Sequence, residues 1–130
     1  MAHGEIILLK ELFEQNDNVL AYHTGRVYRV TGTILVHDPV NRICQIEHQS
    51  EFLWIDISLV SSEGITIDSM VQFIGEILPA STRIFPIRES ELPPNIYLKA
   101  TVKRIVNGLN LRVYEQALTH RRLFIQKLLQ

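Results

Sequence analysis

The sequence is poor in the residues that hold small chains together covalently or through metals. Cys44 is the one cysteine among 130 residues, so no internal disulfide can form and no CxxC pair opens a zinc finger. A small buried apolar side chain is the plain reading of that thiol. His3, His23, His37, His48 and His120 show neither HxxxH nor HExxH spacing, and no metal site is read from them. A glycine-rich phosphate loop, a GxSxG elbow and a convincing pair of carboxylates are missing too. The sequence therefore assigns no catalytic residue, no cofactor and no small-molecule substrate, and we read it as a non-enzyme. No apolar run approaches the ~18 residues of a membrane span, the N-terminal IILL being far too short. Without a basic-then-apolar leader the expectation is a cytosolic or nuclear protein, away from membranes. An excess of positive charge is also lacking: 13 Lys and Arg stand against 14 Asp and Glu, a net charge of −1. Nucleic-acid affinity rests heavily on neutralised phosphates, so any such contact is expected to be local or shared with a partner.

What is present is ordinary for a folded domain, 46% hydrophobic and 21% charged residues, and 1–130 is expected to be one domain with one core. The organising stretch is Arg26 to Asp38, RVYRVTGTILVHD. Its β-branched and aromatic run reads as one long strand, and Gly32 marks a bend that lets it serve two sheets. Asp38-Pro39-Val40-Asn41 has the residues of a type I turn. Arg42 to His48 and Glu51 to Ile57 follow as strands joined at Gln49 and Ser50. Met70 to Leu78 is a fourth strand, bent at Gly75. Pro79 to Asn95 holds four of the five prolines and reads as a loop. Asn95 to Val106 is the fifth strand. This order predicts an all-β, five-stranded OB-type barrel over 26–106, a fold that commonly binds single-stranded nucleic acid. Before it lies an N-terminal arm, 1–25, in which EIILLKELFEQ reads as a short helix or an ordered arm.

Two strands alternate clearly. Leu53, Ile55 and Ile57 are assigned to the core, and Phe52, Trp54 and Asp56 to the outer face. In the fifth, Ile96, Leu98, Ala100 and Val102 face inward, and Tyr97, Lys99, Thr101 and Lys103 outward. Stacking is worth about 1–3 kcal/mol per base, so Phe52, Trp54 and Tyr97 as platforms with Arg29, Arg42, Lys99 and Lys103 as cations would make an accessory nucleic-acid site. Burial of the aromatics by the arm or a partner, and a plainly solvated face for the lysines, are the blander alternatives.

Beyond Asn107-Gly108, Asn110 is a plausible N-cap, and the following residues to 129 contain no Gly or Pro, predicting a helix of about five turns over 110–129. At 100° per residue Val113, Phe124, Ala117, Leu128, Tyr114, Ile125, Leu118, Leu111 and Leu129 share an apolar arc of roughly 160°, interrupted only by Arg121. A helix lying on one small barrel needs about 100°. The surplus suits an obligate partner, or else cover by the N-terminal arm.

These last residues carry a family resemblance. The ending GLNLRVYEQALTHRRLF, Gly108 to Phe124, resembles the Ten subunit, the smallest member of the telomere-capping CST complex (Ctc, Stn, Ten). It meets the pattern G-x-N-L…E-Q-A…R-L-aromatic with Gly108, Asn110, Leu111, Glu115, Gln116, Ala117, Arg122, Leu123 and Phe124. Arg29 before Gly32, a strand ending at Asp38 and the segment F-I-G-E-I-L fit as well, so the resemblance covers about Arg26 to Leu128. The arm and the proline loop depart from the pattern. The resemblance implies an OB barrel paired with the OB domain of an Stn-like protein, largely through C-terminal helices, like the two smaller subunits of replication protein A. It further implies a Ctc-like large subunit, single-stranded telomeric DNA and a nuclear, telomeric location. By that resemblance Tyr114, Leu118, Arg121, Phe124 and Ile125 are candidate partner contacts, with Val113, Ala117 and Leu128 of the same arc. Arg29 becomes a polar contact on the barrel. Another trimeric single-strand-binding assembly, or a self-contained OB module, would share most of these features.

Overall fold

The computed structural model describes residues 4–13, 23–82, 96–106 and Thr119. Among the described residues, six strands and two short helical turns follow in order: β1 (Glu5–Ile6), α1 (Leu9–Leu12), β2 (Val27–Asp38), β3 (Ile43–His48), β4 (Glu51–Asp56), β5 (Met70–Pro79), a 3₁₀ turn (Ala80–Thr82) and β6 (Ile96–Ile105). The neighbours run β2-β3-β4-β6-β5, and β5 pairs back onto β2, which closes a five-stranded barrel. All contacts among these five are antiparallel except β4 with β6. The strands fall within a residue or two of the sequence expectation. The expected helix over 110–129 lies outside the described residues apart from Thr119, which is helical and exposed.

β2 does serve two neighbours. Val27 to Thr33 pair with β5, and Thr33 to Asp38 pair with β3. The irregularity is not at Gly32, where the bend was expected, but between Ile34 and Val36. Gly32 is needed for a different reason: a Cβ there would lie 2.9 Å from the Glu47 carbonyl oxygen, so the two strands cross too closely for a side chain. At Gly75 a Cβ would meet the Lys99 carbonyl at 2.1 Å, and the β5–β6 register slips beside it. Asp38 closes the β2–β3 turn by accepting from the Asn41 N–H (3.1 Å) and side-chain amide (2.7 Å); the amide bond, then the N–H bond, hold its carboxyl below the usual carboxylate range. Gln49 and Ser50 both have positive φ, 51° and 66°, the twist of a two-residue hairpin turn that matches its strands.

The core fills the barrel with Tyr28, Val30, Ile34, Cys44, Ile46, Leu53, Ile55, Val71, Phe73, Ile77, Leu98 and Ala100. Burial pushes the Cys44 thiol up to about 12, as befits an inert apolar filler. Leu9 and Leu12 belong to the same cluster, so the arm plugs one end of the barrel. Its entry is fixed by β1, parallel to Tyr28–Arg29, and by the Glu11 carboxylate accepting from the Leu8 N–H at 2.9 Å. His23 completes the plug. Its Nδ1 is 2.7 Å from the Tyr28 hydroxyl, and its ring also hydrogen-bonds the Leu12 backbone. Burial first, then the Arg26 charge, lowers its pKa. The other end is closed by Ile57, Val60 and Ile65, in a segment tied to β2 by the Ile34 N–H to Ser69 carbonyl and Asp68 N–H to Ile34 carbonyl bonds, both 2.9 Å.

Candidate nucleic-acid and partner interface

The structure does not gather the expected nucleic-acid residues into one site. On β4 the alternation is as read: Leu53 and Ile55 are core, and Phe52 and Trp54 point outward. Outward does not mean exposed. Trp54 and Tyr97 pack with Ile43, Leu78 and Ala80 in a second apolar cluster and are 5% and 3% exposed. Rings so covered have no open face for a base to stack on. The described members of the cover come from β3, β5 and the 3₁₀ turn rather than from the arm. Phe52 alone of the three offers a ring to solvent, at 39%, opposite Glu47 on β3.

The inward and outward sets of β6 hold only up to Ala100. Ile74 pairs with Val102 but Gly75 pairs with Ala100, so Thr101 is an extra residue and the alternation reverses past it. Val102, expected in the core, is 42% exposed. Lys103, expected on the outer face with Lys99, instead lies opposite Phe73 and donates from Nζ to the Ser61 carbonyl (2.6 Å) and to the Glu63 carbonyl. Its ammonium is committed to closing the barrel end. Lys99 stays outside, but between acidic neighbours: Asp56 on β4 and Glu76 on β5 occupy its register positions. A phosphate approaching it would meet two carboxylates.

Arg29 and Arg42 are far apart in the barrel. Arg29 sits on β2 between Ile6 and Ile74, and its Nε is buried without a hydrogen-bond partner. Arg42 is exposed, with φ 57°, just before β3, and its carbonyl accepts from the Ile57 N–H at 2.9 Å. It lies five positions before Glu47, roughly 16 Å at the rise of a strand, so it does not share a site with Phe52. Val113, Tyr114, Ala117, Leu118, Arg121, Phe124, Ile125 and Leu128 lie outside the described residues. Sequence reasoning missed Ile43, Leu78 and Ala80 as partners of Trp54. Their signal is the consecutive apolar residues Ile43-Cys44 and Ile77-Leu78, which break alternation and bury both faces of a strand.

The family model described as "Telomere-capping, CST complex subunit" matches residues 1–128. No curated protein sequence matches the chain. Among solved structures, telomere capping protein Ten1 from Saccharomyces pombe is similar at 15% identity, over 92% of this chain and 97% of that one, with a TM-score of 0.64. A chain of the S. pombe Stn1–Ten1 complex gives 14% identity, 92% and 91% coverage and a TM-score of 0.64. A chain of U. maydis replication protein A bound to single-stranded DNA gives 11%, 93%, 91% and 0.60. At such identities these likenesses establish an OB-type fold.

Proposed function

The chain belongs to the family of telomere-capping, CST complex subunits, and from that premise we propose that it is a non-catalytic OB subunit of a telomere-capping complex that binds single-stranded DNA. The observation that carries this reading is the family match over almost the whole length. In it the chain heterodimerises with an Stn-like OB protein, through a long C-terminal helix over 110–129 and part of the barrel, and joins a Ctc-like large subunit at telomeres in the nucleus. Val113, Tyr114, Ala117, Leu118, Arg121, Phe124, Ile125 and Leu128 make the helical contact, because their arc is wider than one barrel can use.

The DNA contribution of this chain is accessory. Phe52 is the stacking residue with an open ring, and Arg42 is an exposed cation; a net charge of −1 and the carboxylates flanking Lys99 leave most phosphate contacts to the partner. The self-contained DNA-binding module is disfavoured on the same grounds. A replication protein A-like role in another trimer remains the second reading, favoured by the likeness to the U. maydis structure.

Co-expression with an Stn-like protein tests the proposal. A 1:1 complex is expected to co-purify, and Tyr114→Ala with Phe124→Ala to abolish it while circular dichroism still reports a folded barrel. Retained binding by that variant would remove the helix as interface. Preferential capture of replication protein A subunits would move the second reading to first place.

A further inference from the structure

β6 is paired on both sides only in its first half. Leu98 and Lys99 lie between β5 and β4, opposite Ile55 and Asp56 of the latter, but β4 ends at Asp56 while β6 runs on to Ile105. From Thr101 onward the strand has β5 on one side and, among the described residues, no backbone partner on the other. The Val106 N–H donates to the Met70 carbonyl at 2.9 Å, and Ile105, Arg104, Lys103 and Val102 stand opposite Val71, Gln72, Phe73 and Ile74. Alternation along an antiparallel ladder then gives Arg104 and Val102 the bonds to β5 and turns the N–H and C=O of Lys103 and Ile105 to the open side. Thr101, Val102, Arg104 and Ile105 are exposed. Open edges are ordinarily guarded by a lysine or a bulge. Here the bulge lies at the near end of the open stretch, and the Lys103 ammonium is held on the inner face by the Ser61 and Glu63 carbonyls instead of projecting from the edge.

We propose that the edge of β6 over 101–105 takes an extended, acidic segment of a partner protein as an added strand. In that mode backbone pairing supplies the affinity and the side chains make the choice. The open stretch carries Lys103 and Arg104 and no carboxylate; Glu63, in the turn that holds Lys103, is the acidic residue these contacts bring near. Two cations against one carboxylate favour acidic side chains on the incoming strand. Val102 and Ile105, 42% and 38% exposed, favour apolar ones between them. The incoming strand therefore needs an acid beside Arg104 and apolar or β-branched residues beside Val102 and Ile105. β2 past Ile34 offers a comparable stretch with exposed Leu35 and Val36, but there Asp38 follows on the strand and Asp68 bonds to Ile34, so an acidic segment is turned away. The inference does not rest on the heterodimer reading, since it uses no contact of 110–129.

The test uses the full chain and a probe, a hexapeptide alternating Val and Glu, beside the same peptide with Lys in place of Glu. Amide hydrogen exchange is read residue by residue. In the chain alone the Lys103 and Ile105 amides are expected to exchange at least ~10-fold faster than those of Val102 and Arg104, and saturating Val-Glu peptide to slow them at least ~10-fold. The Val-Glu peptide should bind at least ~5-fold more tightly than the Val-Lys peptide, and Arg104→Glu should reverse that order. Slowing by both peptides alike would overturn the acidic segment, and slowing by neither would overturn the edge itself. Protection at 35–37 instead would move the docking edge to β2. Protection of Lys103 and Ile105 by an oligothymidylate, but not by the Val-Glu peptide, would give the edge to nucleic acid. Ile105→Pro removes an edge N–H but no bond to β5, so it should keep the urea midpoint of the parent and lose the peptide; undiminished binding would count against an added strand. Should that variant not fold, the exchange pattern of the parent chain decides alone.

Discussion

The inside of the barrel and the outer patch around Trp54 are both dense with large apolar side chains, but they are buried by different means. Inside, each strand contributes alternate residues, and closure of β5 onto β2 brings Val30, Ile46, Leu53, Phe73 and Leu98 together from five directions. The outer patch draws on four strands and the 3₁₀ turn, Ile43, Trp54, Tyr97, Leu78 and Ala80, and part of its cover, Ala80, comes from the turn that follows β5. The first kind of burial is a consequence of pairing register. The second depends in part on the turn at Ala80, and connections of that kind can differ among chains with the same strands.

The largest expected effect separates these two kinds. Trp54→Ala should destabilise by about 3–5 kcal/mol, the range for a buried aromatic, while Phe52→Ala, two residues away on the same face, should stay under about 2 kcal/mol. Single-stranded DNA binding by the heterodimer should invert that order, with Phe52→Ala weakening affinity by about 1–3 kcal/mol. Urea midpoints and a DNA titration on the same proteins check both. A stability loss at Phe52 equal to that at Trp54 would mean that both rings are structural, and the accessory site would lose its stacking residue.

A smaller effect tests the two lysines of β6. Lys103→Ala removes two bonds to the 61–63 segment and should lower stability by roughly 1 kcal/mol without changing the salt slope of DNA binding. Lys99→Ala should likewise leave that slope alone, because Asp56 and Glu76 flank it in the register. A slope shallower by about one in the Lys99 variant would restore it as a phosphate contact.

These contrasts also mark what the sequence could and could not tell. The strands of the barrel were legible because their apolar residues repeat with period two between turn residues, as in Leu53-Trp54-Ile55-Asp56. The reversal after Thr101 was not, since a bulge inserts a residue without any change in composition; Ile96 to Val106 alternates as well on paper as any strand in the chain. Gly32 and Gly75 were visible as interruptions, yet whether a glycine bends its own strand or admits a neighbour's backbone is decided by the partner strand, and here the partner carbonyls of Glu47 and Lys99 decide it. The candidate site was the least legible part. Sequence periodicity assigns a side chain to the outer face, but exposure there depends on what crosses over it, and Trp54 shows the two to be separate questions. Burial of Leu9 and Leu12 lay in between, because four residues of helix make too short a period to orient.

The smallest effect sits at the polar point of the barrel plug. With the Leu12 carbonyl accepting one ring N–H, His23 meets the Tyr28 hydroxyl through Nδ1 as a neutral imidazole. Burial and the Arg26 charge both disfavour imidazolium, so the folded chain gives up that proton more readily than the unfolded one. Below about 6.5, the ordinary histidine value, the unfolded chain binds the extra proton and stability falls as pH falls; above it this contribution is flat. His23→Gln should therefore be less stable than the parent by about 1 kcal/mol at pH 7.5, for the lost hydrogen bonds, and the gap should narrow at pH 5.5. Urea midpoints at the two values measure it. Parallel losses in both proteins would mean that the imidazole is as easily charged inside the plug as in the unfolded chain, and the end of the barrel closed by the arm would then be as open to water as the outer face around Phe52.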